Sequence, residues 1–241
     1  MWVAGCEAIE EVSTGPGYVT LRASFVDDPS PFGLGGVLAT ITDDSWMDQW
    51  RAHAQPYDVG RLTVWPSWIP SPPTSSATVL LIDPRRAFGF DHPTTRLVLA
   101  DVDRLVVPGD SVLDVGCGSG ILGIGALLLG AQTAIGIDIE ADAMIATHEN
   151  AFLNQVGDRF AASLEWSATA ATYNLVLANL LAPILRELAP PITESLAPNS
   201  ILVASGLLVG QWETVAEWYP SLCVHDRHQL ESWESITLAL R

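Results

Sequence analysis

Between Ser111 and Gly120 the chain reads Ser-Val-Leu-Asp-Val-Gly-Cys-Gly-Ser-Gly. An apolar run short enough for a buried strand meets Gly116, Gly118 and Gly120, where the backbone must turn sharply into a helix expected over residues 121–129. Glycines let the main chain approach a ligand closely, and the first amides of the helix point at whatever sits in the turn. Such a turn is a nucleotide cradle. Asp114 precedes the first glycine by two residues, and its carboxylate would repel a pyrophosphate but hold an ammonium group. Asp138 ends the next apolar run, residues 133–137, at the usual place of the acid that accepts hydrogen bonds from the two hydroxyls of an adenosine ribose. Asp114 and Asp138 together call for a nucleoside bearing an amino acid, and S-adenosyl-L-methionine fits. Gly118-Ser-Gly-Ile-Leu-Gly123 also satisfies the dinucleotide pattern G-x-G-x-x-G, which makes a nicotinamide or flavin enzyme the rival. In that rival the first glycine comes two residues late and Asp114 would face phosphates.

Two further stretches carry candidates. Asn179 follows an apolar strand expected over residues 174–178, so its amide lies on the rim where open parallel sheets bind ligands. Capping the next helix, expected over residues 183–196, is its alternative role. Upstream, Asp83-Pro-Arg-Arg-Ala-Phe-Gly-Phe-Asp-His-Pro-Thr-Thr95 leads into a helical pattern that runs to about Leu105. Glycine, proline and hydroxyls just before a helix suit a bound carboxylate. Thr95 is the candidate there, with Thr94 and Thr95 equally readable as helix caps. His92 is a possible proton acceptor, though a histidine beside a proline also serves structure.

These residues need a scaffold. From about residue 75 onward, short apolar runs alternate with helical patterns, which predicts an α/β fold with a doubly wound, mostly parallel sheet and helices on both faces. That places the main domain at residues 75–241. Residues 1–42 read as a small α+β appendage, with strands at Ala8–Val12 and Tyr18–Phe25 joined by Thr14-Gly-Pro-Gly17. Residues 43–74 read as a linker helix and loop. A helix over Ser45–Ala52 would put Trp46 and Trp50 on one face as a packing seam, and residues 62–65 would be a strand.

The 241 residues carry a net charge of −17, and all 11 basic residues are arginine. Such a surface argues against binding bare DNA or RNA and would speed encounter with a basic protein, although acidity also serves solubility. Cys6, Cys117 and Cys223 are too scattered for a disulfide framework or a zinc site, which suits a reducing cytosol. Val3-Ala-Gly-Cys6 lacks the basic start and apolar core of a lipoprotein leader, and the most apolar stretch is too broken to span a membrane.

Asp83-Pro, Ala87-Phe-Gly, His92-Pro-Thr-Thr95, Asp114-Val-Gly-Cys-Gly-Ser-Gly-Ile-Leu122, Gly136-Ile-Asp-Ile139 and Ala178-Asn-Leu-Leu-Ala182 together resemble the ribosomal protein L11 methyltransferase family. The resemblance runs from about Asp44 onward. It implies a class I methyltransferase, with a Rossmann-like seven-stranded sheet whose last strand is antiparallel. It also implies methyl transfer from S-adenosyl-L-methionine to lysine and N-terminal amines of ribosomal protein L11. The cofactor positions it carries over are Thr95, Gly116, Asp138 and Asn179, with Asp114 and Gly118 beside them. Asn179 and the carbonyl of Leu180 would receive the amine, and His92 could take its proton. A cytoplasmic monomer without a metal is expected. Two departures stand out. The segment between the Phe-Gly and the histidine is only Phe90-Asp91, one residue short of the family's usual glycine- and threonine-rich loop, and it carries an acid near the cofactor carboxylate. The N-terminal recognition domain is also shortened. A methyltransferase for another protein lysine or a small molecule, or a degenerate non-catalytic member, are the alternatives.

Overall fold

The structure, a computed structural model, describes residues 6–15, 18–25, 51, 54–70, 78–85, 89–166 and 172–240. The chain divides into two compact units, Met1–Asp44 and Ser45–Arg241. In the first, β1 (Cys6–Gly15) and β2 (Tyr18–Phe25) pair antiparallel with Gly15 opposite Tyr18, the hairpin expected from the turn sequence. The helix expected over Ser45–Ala52, with Trp46 and Trp50, lies outside the described residues except for Arg51, which is helical.

The second unit holds two sheets. The smaller has the order β3 (Tyr57–Val59), β4 (Leu62–Pro66), β5 (Thr78–Ile82), with β3 antiparallel to β4 and β4 parallel to β5. The strand at residues 78–82, which falls inside the 75–241 domain expected above, therefore pairs with β4, and the stretch read as linker helix and loop supplies the other two strands of this small sheet. β3 escapes a sequence reading because three residues between Pro56 and Gly60 are too few to show a period.

The larger sheet has seven strands: β6 (Ser111–Val115), β7 (Thr133–Ile137), β8 (Phe160–Ser163), β9 (Tyr173–Asn179), β10 (Leu196–Leu208), β11 (Leu222–Leu230) and β12 (Trp233–Leu240). Their order is β11-β12-β10-β9-β6-β7-β8. β12 runs antiparallel to both neighbours, and the pairs from β10 across to β8 are parallel. The helices that accompany them are α1 (Pro93–Leu105), which precedes β6, then α2 (Ile121–Leu128), α3 (Ala141–Leu153), α4 (Ala182–Glu187), α5 (Ala189–Glu194) and α6 (Trp212–Glu217). One helix was expected over residues 183–196, and two are present. Pro190 and Pro191 lack the amides that would bond back to the preceding turn, so the helix stops at Leu188 and restarts with proline in its first turn.

A strand covered on both faces must be apolar on both, and β9 is. Leu175 and Leu177 enter the core that contains Val98, Leu99, Ile124 and the β4–β5 residues Leu62 and Leu80. Val176 and Ala178 enter the opposite core with Leu185, Ile192, Tyr219 and Ile236. Chain progression reverses between β6 and β9, and ligands bind outside the carboxyl ends of strands at such a reversal.

Candidate active site

Val115 stands opposite Ile137 in β7 and opposite Ala178 in β9. Gly116, Asp138 and Asn179, the next residues along the chain, therefore stand at one level at the carboxyl end of the sheet. Positive φ angles at Gly116 (72°), Gly118 (52°) and Gly120 (77°) fold the turn, conformations that L side chains rarely adopt. The Gly116 and Cys117 amides donate to the Ile137 carbonyl at 2.7 and 3.1 Å. Asp138 completes the turn: its Oδ2 accepts the Gly118 amide at 2.9 Å and its Oδ1 accepts the Glu140 amide at 3.1 Å. Carboxylate oxygens each have two lone pairs, so Asp138 keeps capacity for a ligand's hydroxyls.

Asp114 lies beneath the turn, fully buried, with Oδ2 accepting the Gly123 amide at 3.0 Å. Its Oδ1 has no hydrogen-bond partner. Burial pushes its pKa up to about 7; the Gly123 amide opposes the shift and the nearby Asp138 charge adds to it. Asp114 thus braces the start of α2 from below.

The other wall begins at residue 89. Thr95 is buried, and its Oγ1 accepts Asn179 Nδ2 at 3.3 Å, bringing together two residues far apart in sequence. Gly89, at φ 98°, leaves room for this contact, since a Cβ there would come within 2.8 Å of Thr95 Oγ1. The cap of α1 is His92, correcting the reading of Thr94 and Thr95 as caps. Its Nδ1 accepts the Thr94 amide at 3.3 Å and lies 2.8 Å from Thr94 Oγ1, with Pro93 in the first turn. The His92 ring meets Trp233 edge-on at 4.8 Å. Burial lowers its pKa, against the pull of Asp91 and Glu231. Asp91 itself is exposed.

Four positioning residues were not singled out in the sequence. Tyr57 of β3 donates its hydroxyl to the Phe90 carbonyl at 2.5 Å and packs edge-on against the Phe90 ring, anchoring the short segment before His92. Thr147 donates to the Gly118 carbonyl at 3.0 Å. Asn150 uses its whole amide: Nδ2 donates to the Asp83 and Ser119 carbonyls and Oδ1 accepts the Asp83 amide, each at 2.9 Å. One turn on, Asn154 exchanges the same pair of bonds with Leu81. Two asparagines at i, i+4 on an alanine-rich helix were the available signal. They serve as side-chain partners for the strand β5.

The family model described as ribosomal protein L11 methyltransferase (PrmA) matches residues 33–241. The chain belongs to the L11 methyltransferase family. A family member from Idiomarina loihiensis is 44% identical over 183 residues, covering 74% of this chain and 61% of the relative. One from Escherichia coli is 41% identical over 209 residues, covering 85% of this chain and 71% of the relative. The chain thus spans well under the full length of the curated relatives it matches. Among solved structures, an L11 methylase from Lactobacillus delbrueckii subsp. bulgaricus superimposes with a TM-score of 0.70 at 29% identity. That match covers 75% of this chain and 95% of the other.

L11 methyltransferase family membership implies S-adenosylmethionine as the cofactor, and the residues present fit it. Gly116, Gly118 and Gly120 carry no side chain to obstruct a nucleoside, and the side chains of Cys117 and Ser119 between them are buried. Asp138 offers acceptors at the rim, and a carboxyl oxygen of Asp114 stands unpaired beneath. Among the described residues no cluster of ligands for a metal is present, and no helix is long and apolar enough to cross a membrane.

Proposed function

We propose that this chain transfers methyl groups from S-adenosylmethionine to lysine or N-terminal amines, with ribosomal protein L11 as the substrate. The observation that carries the reading is the family match over residues 33–241 together with the single row formed by Gly116, Asp138 and Asn179. The cofactor supplies an activated methyl group on a sulfonium centre, and the protein's task is positioning.

Asp138 accepts the ribose hydroxyls. Gly116 and Gly118, whose amides are taken by the Ile137 carbonyl and Asp138, let the backbone of the turn approach the amino-acid end closely, with Asp114 keeping the turn in place. Thr95 lies toward the carboxylate and fixes the Asn179 amide through its nitrogen, so the amide oxygen is the group offered to substrate. Asn179 Oδ1 and the Leu180 carbonyl accept the hydrogens of a neutral amine and leave its lone pair free. A lysine amine has a reference pKa of about 10.4 and sheds its proton before it reacts. We assign His92 to the cap of α1, because its Nδ1 is occupied there, and water is the proton acceptor. The acidic surface favours a basic partner, and the hairpin unit Met1–Asp44 is the candidate recognition module.

The test is transfer of label from methyl-labelled cofactor to purified L11. Because the chain contains no lysine, lysine-borne label cannot arise from self-modification. Label in L11 supports the proposal. Cofactor binding with transfer only to other amines would redirect it to another acceptor, and absence of cofactor binding would overturn it.

A further inference from the structure

The end of β9 is held by a feature that lies in another strand. β10 pairs with β12 in register up to Ala204↔Ile236 and resumes at Leu207↔Glu234, so Ser205 and Gly206 form a bulge. The bulge sits beside Ser205↔Asn179 in the parallel pairing with β9. Ser205 is fully buried; its hydroxyl donates to the Glu234 carbonyl at 3.1 Å and its own carbonyl accepts the Leu180 amide at 3.0 Å. Gly206 has φ 88°, and a Cβ built on it would overlap the Leu180 carbonyl oxygen and come within 2.7 Å of its carbon. On the far side, a Cβ on Gly116 would lie 2.5 Å from Leu180 Cδ2. Leu180 is thus wedged between two glycines that no other residue could replace without moving it.

We infer that Gly206 is a positioning residue that sets where the Leu180 carbonyl receives the substrate amine, and through it which methylation state is accepted. The inference rests on the methyl-transfer reading above. In that reaction the amine lone pair forms the N–C bond as the C–S bond breaks. The C–S electron pair stays on sulfur as a thioether, and the surplus proton on nitrogen passes to water. A neutral primary amine has two N–H groups for two acceptors, Asn179 Oδ1 and Leu180 O, whereas a monomethylated amine has one. Displacing the Leu180 carbonyl therefore penalises the first transfer more than the second.

The experiment compares Gly206→Ala with Gly109→Ala. Gly109 has φ 100° and open space where a Cβ would go, so it carries the same backbone strain without touching Leu180. In Gly206→Ala the rate of the first transfer should fall about 100-fold, the effect of a misplacement on the order of 1 Å. The second transfer should fall less, and cofactor affinity should stay within about twofold. Hydrogen exchange supplies a readout that needs no turnover: the Leu180 amide should exchange faster in Gly206→Ala and not in Gly109→Ala. Ser205→Ala, which releases the bulge from Glu234 without adding an atom, should give the same pattern more weakly and serves if the alanine at 206 prevents folding. Transfer rates and Leu180 exchange matching those of Gly109→Ala would overturn the inference. Faster Leu180 exchange in a chain whose native form transfers no methyl group would instead overturn the methyl-transfer reading and the acceptor role with it.

Discussion

The Asp138 carboxylate accepts the Gly118 amide at 2.9 Å across a gap of 20 residues in sequence. One group thereby shapes the cradle and presents acceptors at its rim. Asp138→Ala removes both. A hydrogen bond to a charged group is worth about 1.5–3 kcal/mol, so affinity for S-adenosylmethionine should drop roughly 10- to 100-fold. Asp138→Asn should lose less. Titration calorimetry on the three proteins reads this directly, and an unchanged affinity in the alanine variant would remove Asp138 from the site.

Asn150→Leu keeps the number and branching of the side-chain heavy atoms but leaves the Asp83 amide and the Asp83 and Ser119 carbonyls without the partner they have. Each buried polar group left unpaired costs about 1–3 kcal/mol. The variant should lose at least about 2 kcal/mol in urea unfolding with an unchanged denaturant slope, and bind cofactor more weakly because Ser119 belongs to the turn.

Asp114 gives a pH signature. Its folded pKa, about 7, lies above the ordinary carboxylate value, so between about pH 4 and 7 the folded chain keeps a proton that the unfolded chain has lost. This group's contribution is therefore intact at low pH and lost as pH rises through 7, by up to about 4 kcal/mol. In Asp114→Asn the side-chain amide oxygen can still accept the Gly123 amide, and the group does not ionise. The stability difference between Asp114→Asn and the native chain should move in the variant's favour from pH 4 to 7 and hold constant above. Parallel unfolding curves at every pH would contradict the burial argument.

Asp91 is the residue that suggested a degenerate site. It is exposed, so Asp91→Gly should change cofactor affinity by less than about threefold, the weight of a surface charge in water. A tenfold gain would mean that the carboxylate does reach the ligand.

Local patterns were enough to read the cradle: the glycine spacing, Asp114 and Asp138 each sit inside one strand-and-turn segment, and chemistry that local leaves its mark in a few letters. Asn179 was readable because a polar residue ending an apolar strand is conspicuous. Tyr57, Thr147 and Gly206 were not, since each acts on a partner brought near only by the fold. A lone glycine in an apolar run such as residues 201–208 reads as a weak spot until the β12 register shows a bulge. Pro190-Pro191 was legible and passed over, which is why two helices stand where one was expected.

The division of β9 between two cores has a further consequence. Odd-numbered Leu175 and Leu177 fill one side and even-numbered Val176 and Ala178 the other. Asn179 continues the odd series toward Thr95, and Leu180 the even series into the second core. The directions of Asn179 and Leu180 at the end of the strand are thus counted out by parity. Losing one residue within β9 would exchange the two series and turn Asn179 away from Thr95, whereas losing two would shorten the strand and leave the aim intact.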